Sequence, residues 1–512
     1  LTEQSYWESI LKSIPDYSHH QTTMLSTGEA KLGITETKTF LQQANQAYHT
    51  EINDLLLTAL AYALQDWNNE TTQGITLEGH GRELLDQQID TNKTVGWFTS
   101  MYPVKLELKS TIRESITFIK ESLRSIPNKG IGFGAFTQAD NNISTNQLPR
   151  ISFNYLGQFG EETKPNFWQL SNESSGIAMH ESNHDENIIN INGMVINGAL
   201  SFSVVTQLGE KVTHSISQSL ETRLKKITSH CAEIVRNQLQ TYTPSDFDIN
   251  ISQSLLDRLQ SRAKDNHNEI ESIYKANSLQ QGFIYHVLSQ PEDDAYRVQL
   301  LLDYKQDLHV EHYVKAWELA IETYSSLRTA FNWEEELIQV QYKTGKLIHY
   351  YHDLCGLDSS DQAAKMDMIQ VEDRMIPFDL EQTELLRIHV IQLSDQHYVI
   401  LKSEHHSVSD GWSGPVLLNK VHEYYQSIQQ QKPLNIQPEV VYQQAQSYYQ
   451  KHQAKQKTYW DKQLKIIEQT NDLNPLLDHK TDLEMTKSLD KVITTRLTIS
   501  GELYHNLKSL TQ

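Results

Sequence analysis

An internal repeat with a very long period constrains the fold of this 512-residue chain more than any other feature. The segment that starts with Tyr6-Trp7 recurs about 450 residues later as the segment that starts with Tyr459-Trp460. A second pair of similar segments follows in the same order, Leu32-Gly33-Ile34-Thr35 and Leu497-Thr498-Ile499-Ser500. Such a period is the size of a whole domain. We therefore expect the chain to begin midway through one domain copy and to stop just past the midpoint of the next, as a piece of a longer protein.

Charge and cysteine content exclude several classes of protein. The formal net charge is −21, which opposes binding to nucleic acid or to an anionic membrane surface. Cys231 and Cys355 are too few and too isolated for a disulfide framework or a zinc site. No apolar run is long enough to span a bilayer. The composition therefore predicts a soluble protein of a reducing compartment, the cytoplasm.

Hydrophobic periodicity predicts a mixed fold of the α/β (α+β) class. Residues 53–67 carry apolar side chains at helical spacing, and residues 151–155 alternate as a strand does. Asn197-Gly198 lies between two apolar runs and predicts a two-residue hairpin turn. Residues 386–393 and 398–402 predict a second hairpin.

A domain boundary is predicted near residue 241. Pro244 blocks helix continuation and biases Thr243 towards extended geometry. The sequence then stays polar to about residue 269, apart from one amphipathic turn with Leu255 and Leu259. We interpret residues 241–268 as an interdomain linker that contains a short helix.

Two adjacent histidines form the sharpest candidate site. His405 and His406 follow an apolar strand directly, at a position where a side chain can point into a cleft and exchange a proton. Asp410 can fold back towards them, Arg387 on the neighbouring strand is its candidate ion-pair partner, and Gly411 would permit close backbone approach.

Simpler interpretations of this pair exist. Two histidines beside a turn are more often packed or solvated than catalytic. Joint metal ligation by His405 and His406 is awkward because adjacent strand residues point to opposite faces.

The motif His405-His406-Ser407-Val408-Ser409-Asp410-Gly411 resembles the His-His-x-x-x-Asp-Gly signature of nonribosomal peptide synthetase condensation domains. Three further segments resemble motifs of the same family: Leu327-Arg328-Thr329-Ala330-Phe331, Phe378-Asp379-Leu380 with Leu385-Leu386-Arg387, and Ser278-Leu279-Gln280-Gln281-Gly282. The last one departs from the family pattern, since Lys275-Ala276-Asn277-Ser278 stands where Pro-Leu-Ser-Pro is usual. The geometry of the strand that enters this motif is therefore open.

The front half resembles the closing motifs of synthetase epimerization domains, which belong to the same superfamily. The matching segments are Glu78-Gly79-His80-Gly81-Arg82-Glu83, Thr94-Val95-Gly96-Trp97-Phe98 with the residues up to Val104, and Phe153-Asn154-Tyr155-Leu156-Gly157-Gln158-Phe159. The resemblance implies four parts: a C-terminal epimerization lobe over 1–240, the linker over 241–268, an N-terminal condensation lobe over 269–456, and the start of the second condensation lobe over 457–512.

The resemblance also implies a fold and partners. Each lobe would be chloramphenicol-acetyltransferase-like, one from each of two condensation-superfamily domains. Carrier domains upstream and downstream would insert their phosphopantetheine arms, loaded with an aminoacyl or peptidyl thioester, into a tunnel between lobes. No cofactor would bind directly, and no metal is expected.

Site roles follow from the same resemblance. Glu78 matches the carboxylate that removes and returns the α-proton, and Asn154 and Tyr155 match residues that line its pocket. His406 matches the condensation histidine, which acts either as a base or as a positioning and charge-stabilising group. For His405, Asp410 with Arg387, and Gly411 we expect structural support.

The expected function is therefore epimerization of a carrier-bound thioester from L to D, followed by amide condensation with the next carrier-bound amino acid. Because each domain would hold only part of its lobes, we expect incomplete active sites in this chain. Two alternatives stay open: a coenzyme A-dependent acyltransferase of the same superfamily, and a non-catalytic docking or scaffold piece.

Overall fold

A computed structural model describes residues 3–17, 24–83, 90–91, 93–137, 147–159, 176, 186–247, 249–434, 436–467 and 495–511. The chain forms two compact units, Leu1–Ser447 and Tyr448–Gln512. The first unit contains both candidate sites and mixes helices with parallel and antiparallel strands. The predicted α/β (α+β) class is confirmed.

The first part of the larger unit is built around one six-stranded sheet. Its elements are α1 (Gln4–Ser13), β1 (Ser26–Lys31), α2 (Ile34–Gln42), α3 (Ile52–Asn68), β2 (Thr72–Gly79), β3 (Ser100–Glu107), α4 (Ile112–Arg124), β4 (Ile151–Phe159), β5 (Ile189–Ile196), β6 (Ala199–Thr206) and α5 (Glu210–Arg236). The strand order is β1-β6-β5-β4-β2-β3, with β4 parallel to both β2 and β5. The predicted helix over 53–67 corresponds to α3, which is buried from Asp54 to Leu64 apart from the half-buried Tyr62.

The turn between β5 and β6 is the one that the sequence predicts. Asn197 and Gly198 both have positive φ, 49° and 80°. Two left-handed residues in a row match the right-handed twist of the flanking strands, and asparagine and glycine tolerate that conformation best. The hairpin fixes the register of β6, on which β1 then pairs.

The two faces of this sheet differ in chemistry. One face packs with α3 and α5 into a continuous apolar core. Strand residues of the opposite parity are mostly polar, and cross-strand pairing places them together: Thr76, Glu78, Ser152, Asn154, Asn190, Asn192, Ser201 and Ser203. The polar face is therefore the side of the sheet on which chemistry can take place.

The predicted linker over 241–268 is folded and packed. It contains a 3-10 helix, Pro244–Asp246, and the helix α6 (Gln253–Asp265). Its buried apolar side chains are Phe247, Ile249, Ile251, Leu255, Leu256, Leu259 and Ala263. They form one core with the sheet that follows, so this segment is an integral part of the larger unit. The domain boundaries themselves stay a prediction.

An ion pair with a buried ammonium ties this segment to the first sheet's helices. The Nζ of Lys120 on α4, 1% exposed, donates to both carboxylate oxygens of Asp246 at 2.7 and 2.6 Å and to the carbonyl of Tyr48 at 2.9 Å. The rings of His49 and Tyr242 stack with centroids 4.0 Å apart. Both contacts join the segment to elements that lie earlier in the chain.

The second part of the larger unit contains two smaller sheets. After α6 its elements are β7 (Ile270–Lys275), α7 (Ser278–Ser289), β8 (Arg297–Tyr304), α8 (Val310–Thr323), β9 (Thr329–Asn332), β10 (Ile338–Tyr342), β11 (Ile348–Asp353), α9 (Ser359–Met375), β12 (Leu386–Ser394), β13 (His397–His405), α10 (Ser413–Gln429) and the start of α11 (Val441–Leu464). The sheets have the orders β7-β10-β9 and β11-β12-β13-β8. In the four-stranded sheet, α9 covers one face, and α7, α8 and α10 cover the other.

The second unit, Tyr448–Gln512, is described at residues 448–467 and 495–511, which contain the end of α11 and the helix α12 (Gly501–Leu510). Both copies of the Tyr-Trp repeat lie in helices, α1 and α11. Trp7 is buried against Tyr102 and Phe133, whereas Trp460 is 60% exposed. The two copies thus share an element type and differ in their surroundings.

Two further expectations concern the whole chain. Across the residues with described positions, every helix is too short or too polar to cross a bilayer. Cys231 is buried, Cys355 is exposed, and both are free thiols.

Replacing Lys120 by Met should lower the free energy of unfolding by about 3 kcal/mol, because removing one partner of a buried ion pair leaves the other charge uncompensated. Urea unfolding followed by circular dichroism measures this change. Lys315→Met is the control, since the Lys315–Glu318 pair is exposed and its loss should leave the unfolding midpoint nearly unchanged. Equal shifts in the two variants would contradict the role of burial.

Candidate active sites

The two histidines follow β13, as the sequence predicts. His405 is the last residue of the strand, and the backbone N–H of His406 donates to the carbonyl of Tyr296 at 2.9 Å, which continues the pairing with β8. A loop then leads into α10 at Ser413. Because the pairing continues to His406, the two side chains leave the sheet on opposite faces.

His406 lies on the face covered by α7 and α10 and is half-buried. The Phe283 ring of α7 stacks on the imidazole, with centroids 5.5 Å apart and planes 20° apart. Its Nδ1 lies 2.8 Å from the carbonyl oxygen of Ser409. A carbonyl only accepts hydrogen bonds, so Nδ1 carries a proton, and in the neutral tautomer this leaves the lone pair on Nε2. This histidine is therefore oriented as a hydrogen-bond acceptor or base.

His405 points to the opposite face and is buried. Its Nδ1 lies 2.8 Å from the hydroxyl of Ser407 and accepts from the Ser407 N–H at 3.3 Å. Burial, with smaller contributions from His406 and Arg297, lowers the pKa of His405 to about 4. This histidine is neutral at pH 7 and contacts the loop through Ser407; its structural role stays a prediction.

The loop is held from a second side by a residue to which the sequence analysis assigned no role. Gln280 on α7 is buried and donates through Nε2 to the carbonyl of Ser407 at 3.0 Å. Its Oε1 accepts from the N–H of Asn277, whose Oδ1 caps α7 in return. This capping box settles how the chain enters the segment that departs from the family pattern. The spacing of Asn277 and Gln280 is the signal that could have revealed it.

The predicted pairing of Arg387 with Asp410 is wrong. The guanidinium of Arg387 donates to the Oδ1 of Asp373 at 2.9 Å and to the carbonyls of Asp373 and Ile376 at 3.0 Å each. Arg387 is buried, and a buried guanidinium requires a partner that is also buried; Asp373 is.

Asp410 instead caps the start of α10 and is exposed. Its Oδ1 accepts from the hydroxyl of Ser413 at 2.7 Å and from the N–H groups of Ser413 and Trp412 at 2.9 and 3.1 Å. The hydrogen bonds from Ser413 and Trp412 lower the pKa of this carboxyl. The first turn of a helix offers such unpaired N–H groups, which explains why Asp410 stays there.

The role predicted for Gly411 is also wrong. Within the described part of the chain, no non-neighbouring heavy atom lies within 4 Å of the position that a Cβ would take. Close backbone approach therefore does not require glycine at this position.

Asp373 was missed by the sequence analysis. Besides Arg387 it accepts from Nε2 of His389 at 3.1 Å, from Nε2 of Gln299 at 2.9 Å and from the hydroxyl of Ser403. Burial alone raises the pKa of Asp373, but these hydrogen bonds and the nearby guanidinium outweigh it and hold the pKa well below its usual range. Residues four positions apart lie on the same face of a helix, so the spacing of Asp373 from the apolar Ile369 is the signal that could have revealed a buried carboxylate.

A second buried ion pair lies on the His406 face of the sheet. Lys402 and Glu404, both buried on β13, are 2.5 Å apart from Nζ to Oε1. In the described residues the other oxygen of Glu404 has no hydrogen-bond partner. The pair places compensated charge two residues before His406, on the same side of the sheet.

The candidate site of the front half lies at the end of β2. Glu78 and Asn154 occupy adjacent parallel strands in matching register, and Nδ2 of Asn154 donates to Oε2 of Glu78 at 2.9 Å. Burial raises the pKa of Glu78. The structure therefore brings these two predicted residues together, and a carboxyl with a raised pKa is suited to both taking and giving a proton.

Tyr155 is not brought to this carboxylate. It follows Asn154 directly in β4, and its ring packs against the apolar core on the other face of the sheet. Burial raises its pKa, and its hydroxyl has no hydrogen-bond partner among the described residues. The predicted pocket thus contains Glu78 and Asn154 without Tyr155.

The loop after Glu78 requires glycine at position 81 of the motif. Gly81 has φ of 65°, and a Cβ there would lie 1.6 Å from the carbonyl oxygen of Phe98. The next residue, Arg82, lies over the Phe98 ring at 4.3 Å and donates to the carbonyls of Thr91 and Thr94. Glycine at this position lets the two motif segments pack directly on each other.

Metal chemistry finds no support in the described residues. No group of three or more His, Cys, Asp or Glu side chains among them is arranged to hold a metal ion. His405 and His406, the candidate pair, point to opposite faces.

The low pKa of His405 makes stability depend on pH. The unfolded chain protonates this imidazole near its ordinary value of about 6.5, whereas the folded chain does so only near 4. Unfolding therefore takes up a proton between these values, and stability falls by up to about 3 kcal/mol as the pH is lowered through this window. Urea unfolding at several pH values should show this slope in the wild type and a flatter one in His405→Gln. Parallel slopes would contradict the burial of a neutral ring.

The chain matches known proteins over nearly its whole length. A sequence model described as the condensation domain matches residues 1–248 and 270–512. A linear gramicidin synthase from Brevibacillus parabrevis is 32% identical over 492 residues, which cover 90% of this chain and 9% of that protein. Bacitracin synthase 3 from Bacillus licheniformis is 34% identical over 408 residues, which cover 78% of this chain and 6% of that protein. The chain thus spans less than a tenth of the length of these two relatives.

A solved structure is similar as well. It is the epimerization domain from the third module of tyrocidine synthetase B, with 33% identity, a TM-score of 0.41, and coverage of 46% of this chain and 56% of that chain. The family match extends over both the Glu78 site and the His406 site. The resemblance noted from the motifs is confirmed, and the chain belongs to the condensation-domain family of nonribosomal peptide synthetases.

Proposed function

We propose that the chain spans the junction of an epimerization domain and a condensation domain. The Glu78 site inverts the α-carbon of a carrier-bound aminoacyl or peptidyl thioester from L to D. The His406 site then joins this product to the next carrier-bound amino acid. The observation that carries the proposal is the orientation of His406, whose Nδ1 is held by the Ser409 carbonyl and whose Nε2 is left as an acceptor.

Condensation is a nucleophilic acyl transfer. The acceptor amine attacks the thioester carbonyl, the C–S bond breaks, and the amine loses a proton as the amide forms. An imidazole with a fixed Nδ1–H can accept that proton at Nε2 and pass it to the departing thiolate. Stacking on Phe283 and the hydrogen bond to Ser409 keep the ring in the required orientation.

The neighbours of His406 support it without taking part in the chemistry. His405 and Gln280 hold Ser407 from two sides, and Asp410 holds the start of α10. A carboxylate engaged by a helix N-terminus is a poor proton carrier, which assigns Asp410 a structural role.

Epimerization requires removal of the α-proton and its return to the opposite face. The thioester acidifies this proton, and Glu78 supplies a carboxyl whose pKa is raised by burial. Asn154 donates to one carboxylate oxygen and leaves the other for the substrate. The second acid/base group is the histidine that the resemblance assigns to the N-terminal half of epimerization domains.

The proposed partners are carrier domains upstream and downstream of the chain. Their phosphopantetheine arms deliver the thioesters, so the chain itself needs no bound cofactor. The net charge of −21 supports neither nucleic acid nor an anionic membrane as a partner.

Replacing His406 by Ala should reduce condensation about 100-fold or more, since a positioned acid/base group contributes at least that much. The assay follows dipeptidyl-carrier formation by mass spectrometry, in a synthetase polypeptide that contains this chain. His349→Ala is the control, because this histidine is exposed on β11 of the same sheet. Unchanged condensation in His406→Ala, or acyl transfer from coenzyme A to a free amine without a carrier, would contradict the proposal.

Glu78→Gln should abolish exchange of the α-proton while leaving condensation of a supplied D-configured donor intact. The measurement is deuterium incorporation at the α-carbon of the carrier-bound thioester in heavy water. Glu70→Gln, an exposed carboxylate just before β2, serves as the control and should exchange normally. Exchange at the wild-type rate in Glu78→Gln would remove this residue from the mechanism.

A further inference from the structure

Asp373 is a buried carboxylate that joins a helix to three strands. It lies on the inner face of α9 and is 2% exposed. Its partners are Arg387 and His389 on β12, Ser403 on β13 and Gln299 on β8, and both of its oxygens are engaged. One negative charge thus fixes the end of the four-stranded sheet from which the His406 loop departs.

The contacts of Asp373 lead to this loop by two short routes. Along β13, Ser403 lies two residues before His405 on the same face. Across the face, the Arg387 guanidinium lies 4.0 Å from the Phe378 ring centroid, and Phe378 packs edge-on against the His405 ring at 6.3 Å. His405 in turn contacts Ser407, which neighbours His406.

A third route runs through the edge strand. Gln299 on β8 donates to Asp373 and to the carbonyl of Gln370, so it ties β8 to α9. Two residues earlier, Arg297 pairs with His405 across the strands and donates to the carbonyl of Arg374 at 2.8 Å. Displacement of α9 would therefore move both β8, which pairs with His405, and β13, which contains it.

The same carboxylate is also linked to the surface. The Nε2 of His389 donates to Asp373, so its Nδ1 is the acceptor for Nε2 of His352 at 3.0 Å. The Tyr350 ring stacks on His389 at 4.7 Å. Among the described residues, Arg387 is the permanent cation in direct contact with the Asp373 carboxylate, and Arg297 lies farther along the network.

We propose that Asp373 is a positioning residue for the His406 site: its buried charge holds Arg387, Phe378 and Ser403 so that His405 and its loop present the His406 ring in one orientation. The proposal rests on the proposed role of His406 in condensation. It assigns to Asp373 the pairing with Arg387 that the sequence predicted for Asp410.

Asp373→Asn tests this with a change that keeps the shape and removes the charge. Asp367→Asn is the matched control, since Asp367 lies on the same helix and is exposed. The first readout uses the purified chain with 13C- and 15N-labelled histidine, with the His406 ring signals assigned by their loss in His406→Gln. The wild type and Asp367→Asn should show His406 as a single Nδ1–H tautomer, and Asp373→Asn should show an averaged mixture.

The second readout is condensation in a synthetase polypeptide that contains the chain. Asp373→Asn should lower kcat about tenfold or more with little change in KM, because a misplaced group loses rate without losing substrate binding. If condensation does not depend on His406, the proposed function fails. The ring signals of His406 still test the positioning role of Asp373, because they do not depend on condensation.

Ser403→Ala covers the case in which Asp373→Asn does not fold. It removes one hydrogen bond to Asp373 and keeps the ion pair, so it should shift the His406 ring signals and kcat in the same direction by a smaller amount. Wild-type ring signals and kcat in every folded variant of Asp373 and Ser403 would overturn the proposal.

Discussion

The alternation of side chains along one β-strand determines most of the chemistry in the second half of this molecule. Because β13 stays paired with β8 up to His406, the two histidines must leave the sheet on opposite faces. His405 enters a buried environment and is neutral, whereas His406 lies under α7 with one nitrogen held and one available. Two identical residues thus acquire different tasks from geometry alone.

The same alternation of side chains along a strand separates two neighbouring motif residues in the front half. Asn154 shares the polar face of its sheet with Glu78, and Tyr155 faces the apolar core. A motif written as a string of letters treats the two as neighbours, although the pleat assigns them to different environments.

Among the described residues of the larger unit, buried charged side chains have partners of opposite charge. Arg387 has Asp373, Lys120 has Asp246, and Lys402 has Glu404. The Arg387–Asp373 pair joins α9 to its sheet, and the Lys120–Asp246 pair joins α4 to the segment over 241–268. The Lys402–Glu404 pair lies within β13, on the face of the sheet that carries His406. Unpaired burial of any of these groups would cost several kcal/mol, so each pair restricts the chain to one arrangement.

The sequence was informative where local rules decide the structure. The strand and loop before α10, the Asn197-Gly198 turn, the helix α3 and the proximity of Glu78 to Asn154 follow from periodicity, turn chemistry and motif resemblance. It failed where a long-range choice between partners decides. Asp410 lies 23 positions after Arg387 and Asp373 lies 14 before it. Only the packing of α9 on the sheet selects the buried carboxylate. Likewise, the polar composition of 241–268 hides a set of apolar residues that becomes visible only when the neighbouring sheet is in place.

The folded segment over 241–268 has a consequence for recombination between synthetases. Its apolar side chains complete the core of the sheet β7-β10-β9, and its Asp246 neutralises the Lys120 ammonium of the preceding part. A chimera spliced before Asp246 would separate the Lys120 ammonium from its carboxylate, and one spliced after Asp246 would divide this core between two parents. Fusion points for exchanging modules therefore belong outside it, with the whole segment inherited from a single parent.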